Sequence, residues 1–351
     1  MKKERIFYLD FIRAIATVVI VLTHYNALFI YNVQNPKGIL LSARVGNVYI
    51  GSFGVSLFLI ISGAAMMVAY GRREKTDLRK FYKKRFITIY PMFWEAYIGA
   101  FALELALAVY RKREFFAGIP RVNLIFSLLG LDGYFSNFGI RTFYLVGEWF
   151  LGFILLIYIF FPLMLWLMRK QPIVLCVISV AAFILSEVFL RGKGVPTSLF
   201  IPTRLTEIVF GMVFVTYIKK VPWYAALAAL AAVVANYIVK PDYAVIPEDV
   251  QVLYVGICSF LVFVYISKFF DREFFKKICS AVCKYSYPCF IVHHYIIMKI
   301  AFRFDLAKIN TLQSAGIFLI CCAAVAAVSV ALDFINEKIL LLFKGKKTET
   351  A

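Results

Sequence analysis

The sequence predicts an all-α, polytopic membrane protein, and three observations predict it. Hydrophobic residues fill 62% of the 351 positions and charged residues only 17%, against roughly half and a quarter in an ordinary soluble domain. Mean hydropathy is +0.82. Apolar runs of about twenty residues, the length that crosses a hydrocarbon core about 30 Å thick, recur from end to end. Such a composition excludes a soluble enzyme, a disordered chain and a disulfide-stapled secreted domain.

Ten spanning helices are expected, over residues 6–30, 48–70, 86–109, 143–168, 172–190, 200–218, 222–239, 251–270, 280–301 and 312–342. The last is long enough to tilt or to run on as an amphipathic tail. Together they make one transmembrane domain over 1–345, followed by a short polar tail at 346–351. The one long connection joins the third and fourth spans, where Pro120, Gly130, Asp132-Gly133, Asn137 and Gly139 mark turns. Within it, residues 122–131 are apolar but too few to span, which predicts a re-entrant or interfacial segment.

Lys and Arg number 39 against 20 Asp and Glu, a formal net charge of +19. Nucleic-acid binding is the usual meaning of such a balance, but so apolar a chain has little solvated surface for it. With the N-terminus cytoplasmic and ten alternating spans, 23 of the 39 cations fall on the cytoplasmic side and 14 on the other. That bias predicts both termini inside and assigns most of the charge to topology and to the lipid bilayer. Arg111, Lys112 and Arg113 run against it. The seven cysteines lie mostly within apolar runs with no CxxC, and none of the three histidines has metal spacing to a cysteine pair. Buried thiols and no metal site are expected.

The first run carries a polar stripe. Asp10 and Arg13 are three apart, Thr17 is four beyond Arg13, and His24 is eleven beyond Arg13, so all four share a narrow helical face. Arg13 and His24 stand about 16 Å apart along the axis at about 1.5 Å per residue. A charged residue within a bilayer normally faces a bundle interior or wet cavity, so the stripe predicts a functional cavity.

At this stripe the sequence resembles the acyltransferase-3 family of bacterial integral-membrane acyltransferases. Tyr8-Leu9-Asp10-Phe11-Ile12-Arg13, followed by His24-Tyr25, resembles the family's first-helix signature, an Arg and a His with ten residues between them. Phe53-Gly54-Val55-Ser56-Leu57-Phe58, running to Ser62-Gly63, resembles its second helix. Phe81-Tyr82-Lys83-Lys84-Arg85, then Ile89-Tyr90-Pro91, resembles its basic entry to the third. Glu148-Trp149-Phe150 with Pro162 resembles the fourth-helix motif, and Ser286 to His293 the late motif that ends in histidine. Thr88 stands where a second arginine is common and Phe290 where tyrosine is common. The attached extracytoplasmic hydrolase-like domain of many members is not expected here.

The resemblance implies transfer of an acyl group, usually acetyl, from cytoplasmic acetyl-CoA to a hydroxyl of an extracytoplasmic or lipid-linked glycan, in the bacterial cytoplasmic (inner) membrane. His24 is the candidate general base or transient acyl acceptor. Arg13 would hold a polar part of the CoA arm, and Asp10 would orient Arg13. Lys84, Arg85 and Tyr90 would meet CoA at the cytoplasmic mouth, where guanidinium suits phosphate. Glu148 would orient an acceptor hydroxyl or pair with His24, or simply pair with Arg141. Ser62 and His293 are supporting candidates, Ser62-Gly63 also permitting close helix packing. Envelope-glycan biosynthesis proteins are candidate partners. Two rival readings are a polysaccharide or lipid-linked sugar transporter, kept open by Glu95, Glu104, Glu187 and Glu207, and a non-catalytic partner of a glycan synthase.

Overall fold

The computed structural model describes residues 6–71 and 76–345. Its long helices are α1 (Phe7–Asn32), α2 (Ile50–Tyr70), α3 (Leu78–Tyr110), α6 (Trp149–Lys170), α7 (Pro172–Leu190), α8 (Ile201–Val213), α9 (Trp223–Val239), α10 (Glu248–Ile266), α11 (Glu273–Ala301) and α12 (Thr311–Gly345). Two short helices, α4 (Leu124–Leu128) and α5 (Asp132–Ser136), lie in the long connection. The protein is therefore an all-α, multi-pass membrane protein. Each long helix coincides with one expected span. Among the described residues, eight are both long and apolar enough to cross a membrane, α8 together with the π-helical turn Phe214–Ile218 that continues it. The 17-residue α9 is shorter, and α11 is long but carries more polar residues. The tail at 346–351 lies outside the described residues.

Helix starts differ from expectation where capping overrides hydropathy. The third span was expected from residue 86, yet α3 begins at Leu78 because the Asp77 side chain accepts the Lys80 backbone N–H at 3.0 Å. Lys84 and Arg85 thus stand on helix rather than loop. The fourth span was expected from residue 143, but α6 begins at Trp149; Gly147 just before it has φ +73°, a backbone that only glycine adopts without strain. The apolar segment at 122–131 folds as a 3₁₀ turn (Arg121–Asn123) and α4, with Val122, Ile125, Leu128 and Leu129 exposed.

The chain divides into two compact units. The first takes the chain up to Tyr31, Ile39–Thr76 and Ile157–Lys284. In it α2 packs on α8 and α10, α8 on α7, and α10 on α9. A core of Leu9, Ile12 and Ala16 from α1, Leu57, Ile60 and Ala64 from α2, and Val255 and Phe260 from α10 joins these helices. The loop after α1 is pinned twice by one buried amide: Asn26 Nδ2 donates to the Leu40 carbonyl at 2.9 Å, and the Leu40 N–H donates to Asn26 Oδ1 at 3.0 Å. A two-residue hairpin, Arg44–Val45 paired antiparallel with Val48–Tyr49, follows. Its turn residues Gly46 (φ +53°) and Asn47 (φ +69°) both take the positive φ that a type I′ turn requires. Arg169 donates through Nε to the Gly71 carbonyl at 3.3 Å and through Nη2 to the Tyr70 carbonyl, occupying orphan acceptors at the end of α2.

The second unit takes Asn32–Gly38, Asp77–Leu156 and the chain from Tyr285 onward. Here α3 packs on α12. Three aromatic residues of α3 hold the long connection by its carbonyls: Tyr90 Oη donates to Leu129 at 3.1 Å, Trp94 Nε1 to Leu128 at 2.8 Å and Tyr97 Oη to Phe143 at 2.9 Å. Asp132, at the head of α5, is 2% exposed, and its Oδ1 accepts the Gly133 N–H at 2.9 Å. Burial pushes this carboxyl up to about 6. The folded state therefore holds its proton more tightly than the unfolded chain does. The cost is absent below an unfolded pKa of about 4 and grows as pH rises through about 6. Asp132→Asn, a mimic of the protonated form, is expected to melt at a higher temperature than the native chain at pH 8. The gap should close by about pH 4 in thermal unfolding of purified protein.

Candidate active site

Asp10, Arg13, His24 and Ser62 belong to the first unit; Lys84, Arg85, Tyr90, Glu148 and His293 belong to the second. On α1 the expected stripe is present. Leu9, Ile12 and Ala16 are buried in the core, whereas Asp10, Arg13 and His24 are half-buried, about a quarter-turn round the helix at 100° per residue. Thr17, on the same stripe, is 8% exposed, so part of this face is covered as well. It donates its hydroxyl to the Arg13 carbonyl at 2.9 Å, so its polar group is turned to its own helix. The Cys283 thiol reaches the Asp10 carbonyl at 3.3 Å, and Phe11 stacks on Phe270 at 5.4 Å; both fix the start of α1. Ser62 is half-buried, and its neighbour Gly63 is the close-packing position of α2: a Cβ there would overlap the Ile208 carbonyl of α8.

On α3, Lys84 is exposed, while Arg85 is half-buried with its guanidinium 5.8 Å from the centre of the Phe81 ring. Tyr90 is committed to its bond with Leu129 and stacks on Phe86 at 4.8 Å, so the structure gives it a role in holding the connection against α3.

Glu148 is built by the turn in front of α6. Gly133 lets α5 approach closely, since a Cβ there would stand 3.0 Å from the Glu148 carbonyl carbon and the Trp149 nitrogen. The Gly147 N–H donates to the Ile291 carbonyl at 2.9 Å, tying this turn to α11. Phe150 meets Phe290 edge-on at 5.8 Å one turn further along. The result is a buried carboxylate, 8% exposed at its side chain, whose Oε1 lies 2.5 Å from His294 Nδ1. The Arg141 pairing that the sequence allowed gives way to this one. Tyr144 Oη lies 3.4 Å from the same nitrogen.

His294 was not singled out from the sequence. The doublet His293-His294 was its signal, but which member faces Glu148 depends on the rotation of α11. With the proton on Nδ1, against the carboxylate, Nε2 is the basic nitrogen and the ring is steadied, the arrangement of a carboxylate-oriented base. His293 is fully buried and differently set. Its Nδ1 lies 3.0 Å from the carbonyl oxygens of Cys289 and Phe290, which only accept, so Nδ1 carries the proton and Nε2 the lone pair. A His293 ring nitrogen and the Glu148 carboxylate also lie within 4.8 Å of each other. One carboxylate thus stands beside two imidazoles, against His294 and within 4.8 Å of a His293 ring nitrogen. Such a cluster can take up and return a proton.

A family model described as an acyltransferase domain matches residues 6–334. Acyltransferase MdmB of Streptomyces mycarofaciens is 24% identical over 220 residues, an alignment that covers 56% of each chain. The chain thus spans little more than half the length of that curated relative. No solved structure shows a significant match.

Proposed function

The chain belongs to the acyltransferase-3 family and is a membrane acyltransferase, and from that premise we propose that it transfers an acyl group, acetyl foremost, from cytoplasmic acyl-CoA to a hydroxyl of an extracytoplasmic or lipid-linked glycan. The observation that carries this reading is the stripe of Asp10, Arg13 and His24, half-buried polar side chains on one face of the apolar helix α1. A neutral imidazole on such a face removes the acceptor's hydroxyl proton as the oxygen attacks the thioester carbonyl. The carbon–sulfur bond breaks, and the thiolate leaves with a proton as free CoA. If His24 itself is the attacking group, an acyl-imidazole forms first and the hydroxyl then displaces it.

Arg13 holds a polar part of the CoA arm, and Asp10 orients it. Lys84, exposed, and Arg85, half-buried, both on the first turns of α3, meet CoA phosphates in this reading. Glu148 orients the acceptor hydroxyl with His294 as its proton-holding partner, and His293 supports that carboxylate. Both termini are cytoplasmic in this reading, and the membrane is the bacterial inner membrane.

The test is radiolabelled acetyl-CoA given to purified protein in vesicles that contain an envelope-glycan acceptor. His24→Ala is expected to reduce transfer by at least about a hundredfold, the lower range for a lost general base. Full transfer by that variant would show that His24 is neither base nor acyl carrier.

A further inference from the structure

The second unit contains a cavity of about 400 Å³ between faces of α3, α11 and α12. Glu95, Gly99 and Leu103 line its α3 side at intervals of four residues, a single face about 12 Å long at about 1.5 Å per residue. Ile296 and Lys299 of α11 and Val328 of α12 stand opposite. The volume is that of an ordinary ligand site, and the walls are apolar along most of their length. Gly99 holds the α3 wall open, because a Cβ there would meet nothing within 4 Å.

The two ends differ in charge. At the Glu95 end, both carboxyl oxygens are buried without a hydrogen-bond partner. At the Lys299 end, Glu104 accepts from Tyr295 Oη at 2.8 Å, pairs with Arg113 at 3.1 Å and pairs with Lys299. One acid there meets two cations, and Arg111 and Lys112 stand exposed beside Arg113. These three consecutive cations run against the charge bias, so topology does not account for them.

We propose that this cavity binds a lipid that carries a phosphate head on an aliphatic chain. The head sits on Arg113 and Lys299, and the chain lies along the wall of Gly99 and Leu103. Charge sets the direction: at the Lys299 end two cations outnumber the one Glu104 carboxylate, so a phosphate is drawn there and kept from the Glu95 carboxyl. The apolar walls exclude a sugar in the body of the cavity and accept methylene groups.

Decyl phosphate, decanol and inorganic phosphate separate the parts. Each would be titrated into the full chain, purified free of lipid in a neutral detergent, with bound ligand counted by native mass spectrometry. One decyl phosphate per chain is expected, at least tenfold tighter than decanol or inorganic phosphate. Gly99→Leu, which fills the chain wall, and the double change Arg113→Gln with Lys299→Gln, which removes the head contacts, are each expected to weaken decyl phosphate at least tenfold. Decanol or inorganic phosphate binding as tightly as decyl phosphate overturns the proposal, and so does unchanged binding in either variant. The comparison of the three probes on the native chain decides the matter even if a variant does not fold.

Discussion

Gly63→Ala is expected to leave almost no folded protein. Gly63 of α2 and Gly211 of α8 make a reciprocal contact within the first unit: a Cβ on Gly63 would overlap the Ile208 carbonyl, and a Cβ on Gly211 would overlap the Ile60 carbonyl. Both obstacles are backbone atoms, so no rotamer change relieves them. The helices would have to separate, and the buried residues beside the contact, Ile60, Ala64, Ile208 and Met212, would lose their packing. Ordinary overpacking costs about 1–3 kcal/mol, and this case exceeds it because nothing flexible stands in the way. Within a bilayer, moreover, small residues and close van der Waals contact are the main source of helix association. Gly99→Ala provides the control. It also adds one methyl to a helical glycine, but into open space, and should gain about 0.5–1 kcal/mol from helix propensity. Yield of monodisperse protein and its melting temperature in one detergent read both changes. A Gly63→Ala chain that melts with the native one would show that α2 and α8 do not need this approach.

The two glycines also show what kind of information the chain carries openly. Ser62-Gly63 was legible as a packing device because a small residue in an apolar run has few other uses, and the span count was legible because each run has the length of a bilayer. Boundaries were less legible. The charged stretch before residue 86 reads as a loop by hydropathy, while a single carboxylate, Asp77, starts the helix eight residues earlier. The α1 stripe was legible because Asp10, Arg13 and His24 share one helix, where spacing alone decides the face. His294 was not, because its partner Glu148 is 146 positions away and their meeting depends on the glycines at 133 and 147 and on the rotation of α11. Asn26, which closes the loop after α1, was hidden for the same reason: its two bonds are to a backbone fourteen residues on.

The second large effect is expected at Arg204 and Glu207 of α8. They are three residues apart, their side chains are 3% and 1% exposed, and Nε to Oε2 is 3.0 Å; Arg204 Nη2 also donates to the Ser52 carbonyl at 3.3 Å. From sequence, Glu207 was among the acids that kept ion-coupled transport open. The structure instead gives it a fixed counter-ion on its own helix. Glu207→Leu alone strands a guanidinium in the core and is expected to cost about 3–5 kcal/mol. Arg204→Met with Glu207→Leu removes both charges together with their desolvation cost, and that replacement is commonly neutral or stabilising by about 1–4 kcal/mol. The double variant should therefore recover the stability that the single variant loses, and the difference measures the coupling. The same double variant separates the two functional readings. A structural pair has no part in acyl transfer, so the refolded activity should return with the fold, whereas a carrier that moves protons or cations on Glu207 would stay inactive however well it folds. A double variant with native stability and no acyl transfer would place the Arg204–Glu207 pair in the chemistry after all.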